Sequence, residues 1–190
     1  MAISRGESKE ELRRFGINIP QLPEPVIVTT NMQLAILQGK AFEVSVRKEN
    51  IATDEYADLY FENPSNSGKI VYIDAIEVST FGQVHIDIYA NSTVTGGTSV
   101  TPNNLNMKSS NSSVANVLFD PAVVSTGTAV RKVAAPGGYG VRAIGALSEV
   151  GEERIIPPSY NILVRVINKS SFAQDVSISV MWREEPELLF

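Results

Sequence analysis

The sequence predicts an all-β protein, an antiparallel β-sandwich with jelly-roll-like connections, preceded by a short N-terminal helix and an extended proline-rich arm. Three observations predict it. Several runs alternate apolar and polar residues with a period of two, the pattern of a strand with one wet face. Clusters of Asn, Ser, Gly and Pro punctuate those runs. Beyond a short N-terminal piece no helical periodicity survives, so helices do not alternate with strands as a parallel α/β fold requires.

The chain opens on a segment unlike the rest. Ser8-Lys9-Glu10-Glu11 reads as a helix start, with Ser8 as cap and Glu11 as its capping-box partner. Leu12 and Phe15 give a short apolar face and Gly16 a stop. Such a helix has only about two turns and needs a surface to lie on. Pro20, Pro23 and Pro25 then force an extended path that carries Ile17, Ile19 and Leu22. Apolar residues in a proline-rich strap fit an arm folded back on its own domain or docked on a neighbouring subunit. Leu12, Phe15, Ile17, Ile19 and Leu22 are the predicted partner-binding residues.

From Val26 onward the signal is β. Strands are expected around residues 42–47, 58–62, 70–79 and 84–89, with Asn63–Gly68 as a strong turn cluster. The runs 70–79 and 84–89, separated by Phe81-Gly82-Gln83, look like a hairpin, as do 161–167 and 176–182. Between Asn91 and Gly140 the chain is rich in Ser, Thr, Asn and Gly. A structureless loop of that length is improbable in a compact domain, so two or three short strands joined by exposed polar loops are expected there. The total is about eight strands, with an up-and-down barrel as the rival architecture; uneven loop lengths favour Greek-key crossings. The expected domain boundaries are 1–25 for the arm, 26–183 for the sandwich and 184–190 for a C-terminal tail ending in Leu188-Leu189-Phe190.

Composition narrows the chemistry. The chain has 190 residues, room for one domain plus an arm, and 43% of them are hydrophobic, enough for a core. Cysteine is absent, which excludes disulfide frameworks, zinc ribbons and thiol nucleophiles. His85 is the single histidine, so no two-histidine metal site exists. A net charge of −5 argues against a sequence-independent grip on nucleic acid. No apolar run reaches the roughly 18 residues of a membrane helix, and the first residues lack the apolar core of a secretory leader. A soluble, acidic protein that is not an enzyme is expected, with no cofactor.

Individual residues give little sign of catalysis. His85, Asp87 and Tyr89 share one strand face, on which His85 and Asp87 read as a catalytic or pH-sensing pair, or as part of a wet sheet face or a subunit contact. Asp54, Glu55 and Asp58 could hold calcium but lack the regular acid spacing and central glycine of an EF-hand, so a solvated acidic turn is expected. Glu152 and Glu153 are adjacent, which on an extended segment points them to opposite faces, unlike paired glycosidase carboxylates. Pro136–Gly140 is glycine-rich without the lysine of a phosphate loop. Trp182 falls in phase with Val176, Ile178 and Val180 and is expected in the core. No catalytic, cofactor or metal residue is assigned.

Over residues 56–183 the blocks YADLYFENPSNSGKIVYIDAIEVST, VHIDIYANSTVTGGTSVTPNNLN, SSNSSVANV, NILVRVINKSS and DVSISVMWREE resemble, in texture and order, small structural virion proteins of tailed phages. The resemblance implies a head-decoration, capsid-fibre, turret or tail component. It implies a homo-oligomer, a trimer or larger ring, that binds a major capsid or other virion protein. The expected location is the virion, assembled in the host cytoplasm, with neither nucleic acid nor membrane as partner. The alternative is a carbohydrate- or receptor-binding module of a phage tail or cell-surface protein, with Asn91–Ser113 as its contact surface.

Overall fold

A computed structural model describes residues 30–136 and 154–187. They contain one helix and thirteen strands. The helix, α1 (Asn31–Leu37), lies where the sequence showed only β signal. It is short enough to escape a periodicity test, and its ends define it. Thr30 Oγ1 accepts from the Gln33 amide while Gln33 Oε1 accepts from the Thr30 amide, a capping box. Gly39, at φ +67°, follows the C-cap Gln38.

The strands are β1 (Ala41–Ile51), β2 (Tyr56–Asn63), β3 (Lys69–Thr80), β4 (Val84–Ala90), β5 (Thr93–Thr95), β6 (Thr98–Ser99) and β7 (Asn103–Asn104). They continue with β8 (Asn116–Phe119), β9 (Ala122–Ser125), β10 (Thr128–Ala135), β11 (Arg154–Ile156), β12 (Tyr160–Asn168) and β13 (Gln174–Pro186). One sheet has the order β11-β3-β13-β1-β7, the other β10-β4-β12-β2-β8-β6, and β5 with β9 forms a separate ribbon. All these pairings are antiparallel.

With the short strands β5–β9 set aside, two four-stranded sheets remain, β11-β3-β13-β1 and β10-β4-β12-β2. Successive strands switch sheets at every step except β4 to β10. Two sheets interleaved in this way make a β-sandwich with the double Greek key of a jelly roll. The two expected hairpins are therefore corrected. β3 and β4 lie in different sheets, as do β12 and β13. Each turn is an arch over the core. Alternation looks the same in an arch and in a hairpin, because in both cases every second residue is buried.

Between Asn91 and Pro136 the chain holds six strands, β5 to β10, instead of the expected two or three. β7 extends the first sheet beside β1, while β8 and β6 extend the second beside β2. The chain thereby covers both principal edges on one flank, edges that would otherwise invite pairing with other chains. On the opposite flank the sheets end at β11 and β10.

The core lies between the sheets. Val84, Ile86 and Ile88 of β4 face inward, as do Ile162, Val164 and Val166 of β12 and Val176, Ile178, Val180 and Trp182 of β13. Each such side chain contributes about 1.5–3 kcal/mol on burial. β13 continues three residues beyond position 183, so Glu184 belongs to the sandwich body and is buried.

The end holding the β1–β2, β3–β4 and β12–β13 turns is fixed by one buried amide. Asn168 Nδ2 donates to the carbonyls of Ile51 and Phe172 at 2.8 and 2.9 Å. Its Oδ1 accepts from the Ser170 amide, the Ser170 hydroxyl and Gln174 Nε2. Gln174 Oε1 in turn accepts from the Gly82 amide. Asn168→Ala is expected to cost about 2–3 kcal/mol in urea unfolding, because it strands buried donors and carbonyls in the β1–β2 and β12–β13 turns. A loss under about 0.5 kcal/mol would mean that water replaces the amide.

Candidate functional site

The sequence-predicted residues scatter. Leu12, Phe15, Ile17, Ile19 and Leu22 lie outside the described residues, as do Glu152, Glu153 and Leu188-Leu189-Phe190. Asp54, Glu55 and Asp58 go to separate partners. Asp54 pairs with Lys169 at 2.6 Å, Glu55 Oε2 accepts from the Ala52 amide at 3.2 Å, and Asp58 is buried inside β2. Trp182 is fully buried, its ring 5.0 Å from Phe61 in an edge-on arrangement and 6.1 Å from Phe42.

His85, Asp87 and Tyr89 do share the outer face of the second sheet, since Val84, Ile86 and Ile88 take the inner one. Asp87 nevertheless takes other partners than His85: Oδ2 accepts from the Tyr89 hydroxyl at 2.9 Å and lies 3.8 Å from Lys132 Nζ. The strand registers then set Lys132 opposite Asp87, Asp87 opposite Arg165, and Arg165 opposite Asp58. The last pair is bidentate, at 2.8 and 2.7 Å, and the guanidinium lies 4.0 Å from the centre of the Tyr56 ring. Lys48 and Asp120 add a further pair at 2.6 Å.

Burial deepens along this row from the exposed Lys132 to the fully buried Asp58. Burial raises the Asp58 carboxyl above its ordinary value, opposed by the bond and charge of Arg165. The bond to Asp58 raises Arg165. Burial, then the neighbouring Glu62, pushes the Tyr60 phenol up to about 12, and burial followed by Asp87 raises Tyr89. Leu163 points away from the core, yet it and Tyr60 are buried. Opposite charges meet at each strand interface, so a one-residue slip would break every pair. The row thus fixes strand order and register.

A different surface is built for contact. At the end opposite the Asn168 turns, α1 and the β7–β8 loop are locked together. Gly39 O accepts from Asn104 Nδ2 at 2.9 Å and Asn111 Nδ2 at 3.1 Å. A Cβ on Gly39 would meet Ser109 Oγ at 2.2 Å, so only glycine admits this approach. Asn106 Nδ2 donates to Leu37 O at 3.3 Å.

Glu184 anchors the far end of the same loop. Its Oε1 accepts from Ser113 Oγ at 2.6 Å, the Val114 amide at 2.9 Å and Trp182 Nε1 at 3.3 Å. Its Oε2 takes Lys69 Nζ at 2.9 Å. Nearby, Lys40 pairs with Glu185 at 2.9 Å. Three apolar side chains stand out from this frame: Leu34, Leu37 and Met107, at 48%, 73% and 99% exposure. Leu34 and Leu37 are neighbours on one helix face. The chain enters the described body at this end, at Thr30, and leaves it here through Glu187, whose amide donates to Gly68 O.

Sequence reasoning missed this platform. Met107 sits in a polar run that gave no sign of an apolar surface, and Glu184 read as part of an acidic tail. The Thr30–Gln33 capping box was the one local signal available for α1. No helix among the described residues is long and apolar enough to cross a membrane. No protein-family model matches the chain, and a search of curated proteins gives no significant match.

Proposed function

We propose that this chain is a non-enzymatic structural virion protein, a head-associated or decoration protein that self-associates and docks on a capsid partner through its terminal segments. The observation that carries the reading is the platform at the end where the chain enters and leaves. Leu34, Leu37 and Met107 are held out on a frame pinned by Asn104, Asn106, Asn111 and Glu184. Exposed apolar groups on a pre-ordered frame suit burial against another chain, because little entropy remains to be lost there on binding. Jelly rolls serve capsids and lectins alike, so the fold does not decide between assembly and sugar binding. The contact surface favours assembly. A sugar-binding reading needs the polar stretch Asn91–Ser113 to face a ligand. Its amides at Asn104, Asn106 and Asn111 and the hydroxyl of Ser113 are instead bonded within the fold.

The test is native mass by light scattering on the full chain and on a chain beginning at Pro25. A defined trimer or larger ring is expected for the first and a folded monomer for the second. Monomers in both, together with failure to co-sediment with capsid shells, would overturn the reading.

A further inference from the structure

We infer that the Leu34–Leu37–Met107 platform is the seat for the N-terminal segment, residues 12–22, of a second copy of this chain. The inference rests on the assembly reading and deepens it by naming the acceptor surface. Single exposed leucines are ordinary on protein surfaces. Three apolar side chains grouped on a frame that cannot fold inward are a different case. Gly39 blocks rearrangement on one side, since its carbonyl holds two amides and its Cα leaves no room for a side chain. Glu184 fixes the other side through Ser113 and Val114.

The occupant must be apolar, and the chain carries such a segment. Leu12, Phe15, Ile17, Ile19 and Leu22 precede Thr30, the residue that caps the platform's own helix. The question is whether a copy can seat its own segment. The chain reaches α1 from its N-terminal end, whereas Leu37 and Met107 lie at the C-terminal end, about 10 Å further on at 1.5 Å per residue. Leu22 is eight residues before Thr30, a span of about 25 Å when extended.

To lie against its own Leu37 the chain would have to reverse just before the helix. Val26, Ile27, Val28 and Thr29 are all β-branched, which favours an extended path, and Thr30 itself is extended at φ −71° and ψ 156°. Pro20, Pro23 and Pro25 favour an extended path immediately before them. A second copy faces no such constraint. Each copy then gives one segment and receives one, a head-to-tail contact that closes into a ring when the rotation permits.

The absence of cysteine supplies a direct test. A full chain carrying Ile19→Cys or Leu22→Cys is mixed with a mass-labelled full chain carrying Met107→Cys, and the mixture is oxidised. Phe81→Cys, at the opposite end of the sandwich, replaces Met107→Cys in the control. The expected result is an inter-chain disulfide to position 107 in several-fold excess over position 81. An intra-chain disulfide in a Leu22→Cys/Met107→Cys double variant, without the inter-chain product, would overturn the inference, as would equal yields at 107 and 81.

A second measurement separates this inference from the reading beneath it. Leu37→Gln with Met107→Gln should weaken self-association by about tenfold or more, as loss of a buried anchor does. In chains beginning at Pro25, which lack the segment, the same pair of substitutions should leave thermal unfolding unchanged, because there both side chains are in water. If that variant assembles normally while the chain beginning at Pro25 does not, the segment docks elsewhere. The assembly reading then stands and this seat is wrong. A monomeric full chain removes both self-association and the seat.

Discussion

Replacing Arg165 by methionine is expected to destabilise the protein by about 3–5 kcal/mol in urea unfolding at neutral pH. The change leaves the fully buried Asp58 carboxylate without its bidentate partner and removes the cation from the Tyr56 ring. The pH dependence gives the cause. Burial holds the Asp58 carboxyl above 3.8, and the hydrogen bond and charge of Arg165 are the two largest influences opposing it. A carboxyl with a raised folded value binds its proton more tightly folded than unfolded. Its contribution is therefore most favourable in acid and declines as pH climbs from below 3.8 through the folded value.

Without Arg165 the folded value rises further, and the declining limb extends toward neutral pH. The deficit of Arg165→Met should consequently shrink on acidification, when Asp58 takes up a proton and ceases to be a bare buried charge. Adding Asp58→Leu to Arg165→Met should recover much of the loss at neutral pH, because two apolar side chains replace an orphaned ion. Equal losses at neutral pH and at about pH 4 would show instead that water reaches the carboxylate.

The same residues show how far the sequence could be read. Strand character was legible wherever one face is buried, as in β4, β12 and β13, because alternation is a direct consequence of the pleat. Sheet membership was not legible. A strand obeys the same alternation whether its partner lies beside it or across the core, so β3–β4 and β12–β13 read as hairpins although each pair spans both sheets.

The readings of Asp58 and Glu184 needed correction for a parallel reason. Asp58 read with Asp54 and Glu55 as one acidic turn, since nothing local reveals that Arg165, 107 residues later, will pair with it. Glu184 read as tail because its partners, Lys69 and Ser113, are equally remote in sequence. Exposure is not a local property either. Met107 stands out only because Asn106 and Asn111 hold its loop against α1.

Trp182→Ala is expected to cost about 3–5 kcal/mol, the upper range for truncating a buried aromatic. Trp182 is fully buried, packs against Phe42 and Phe61, and is the only tryptophan, so its emission in the parent chain should be blue-shifted and move to the red on unfolding. Trp182→Phe should cost distinctly less, because a ring remains in the core and only the indole N–H to Glu184 is lost.

The two variants also test whether the core supports the contact surface. Glu184 Oε1 takes both the indole and the Val114 amide, so one carboxylate oxygen links the core ring to the loop that carries Met107. Truncation to alanine frees that oxygen and opens a cavity beneath it. Exchange of the Val114 amide should therefore accelerate more than the fall in global stability accounts for. In Trp182→Phe the Ser113 and Lys69 contacts to Glu184 persist, and Val114 should exchange only as fast as global stability dictates. Should Val114 merely track global stability in both variants, the loop is held by Ser113 and Lys69 without help from the core, and damage to the core would leave the platform's geometry intact until the whole domain unfolds.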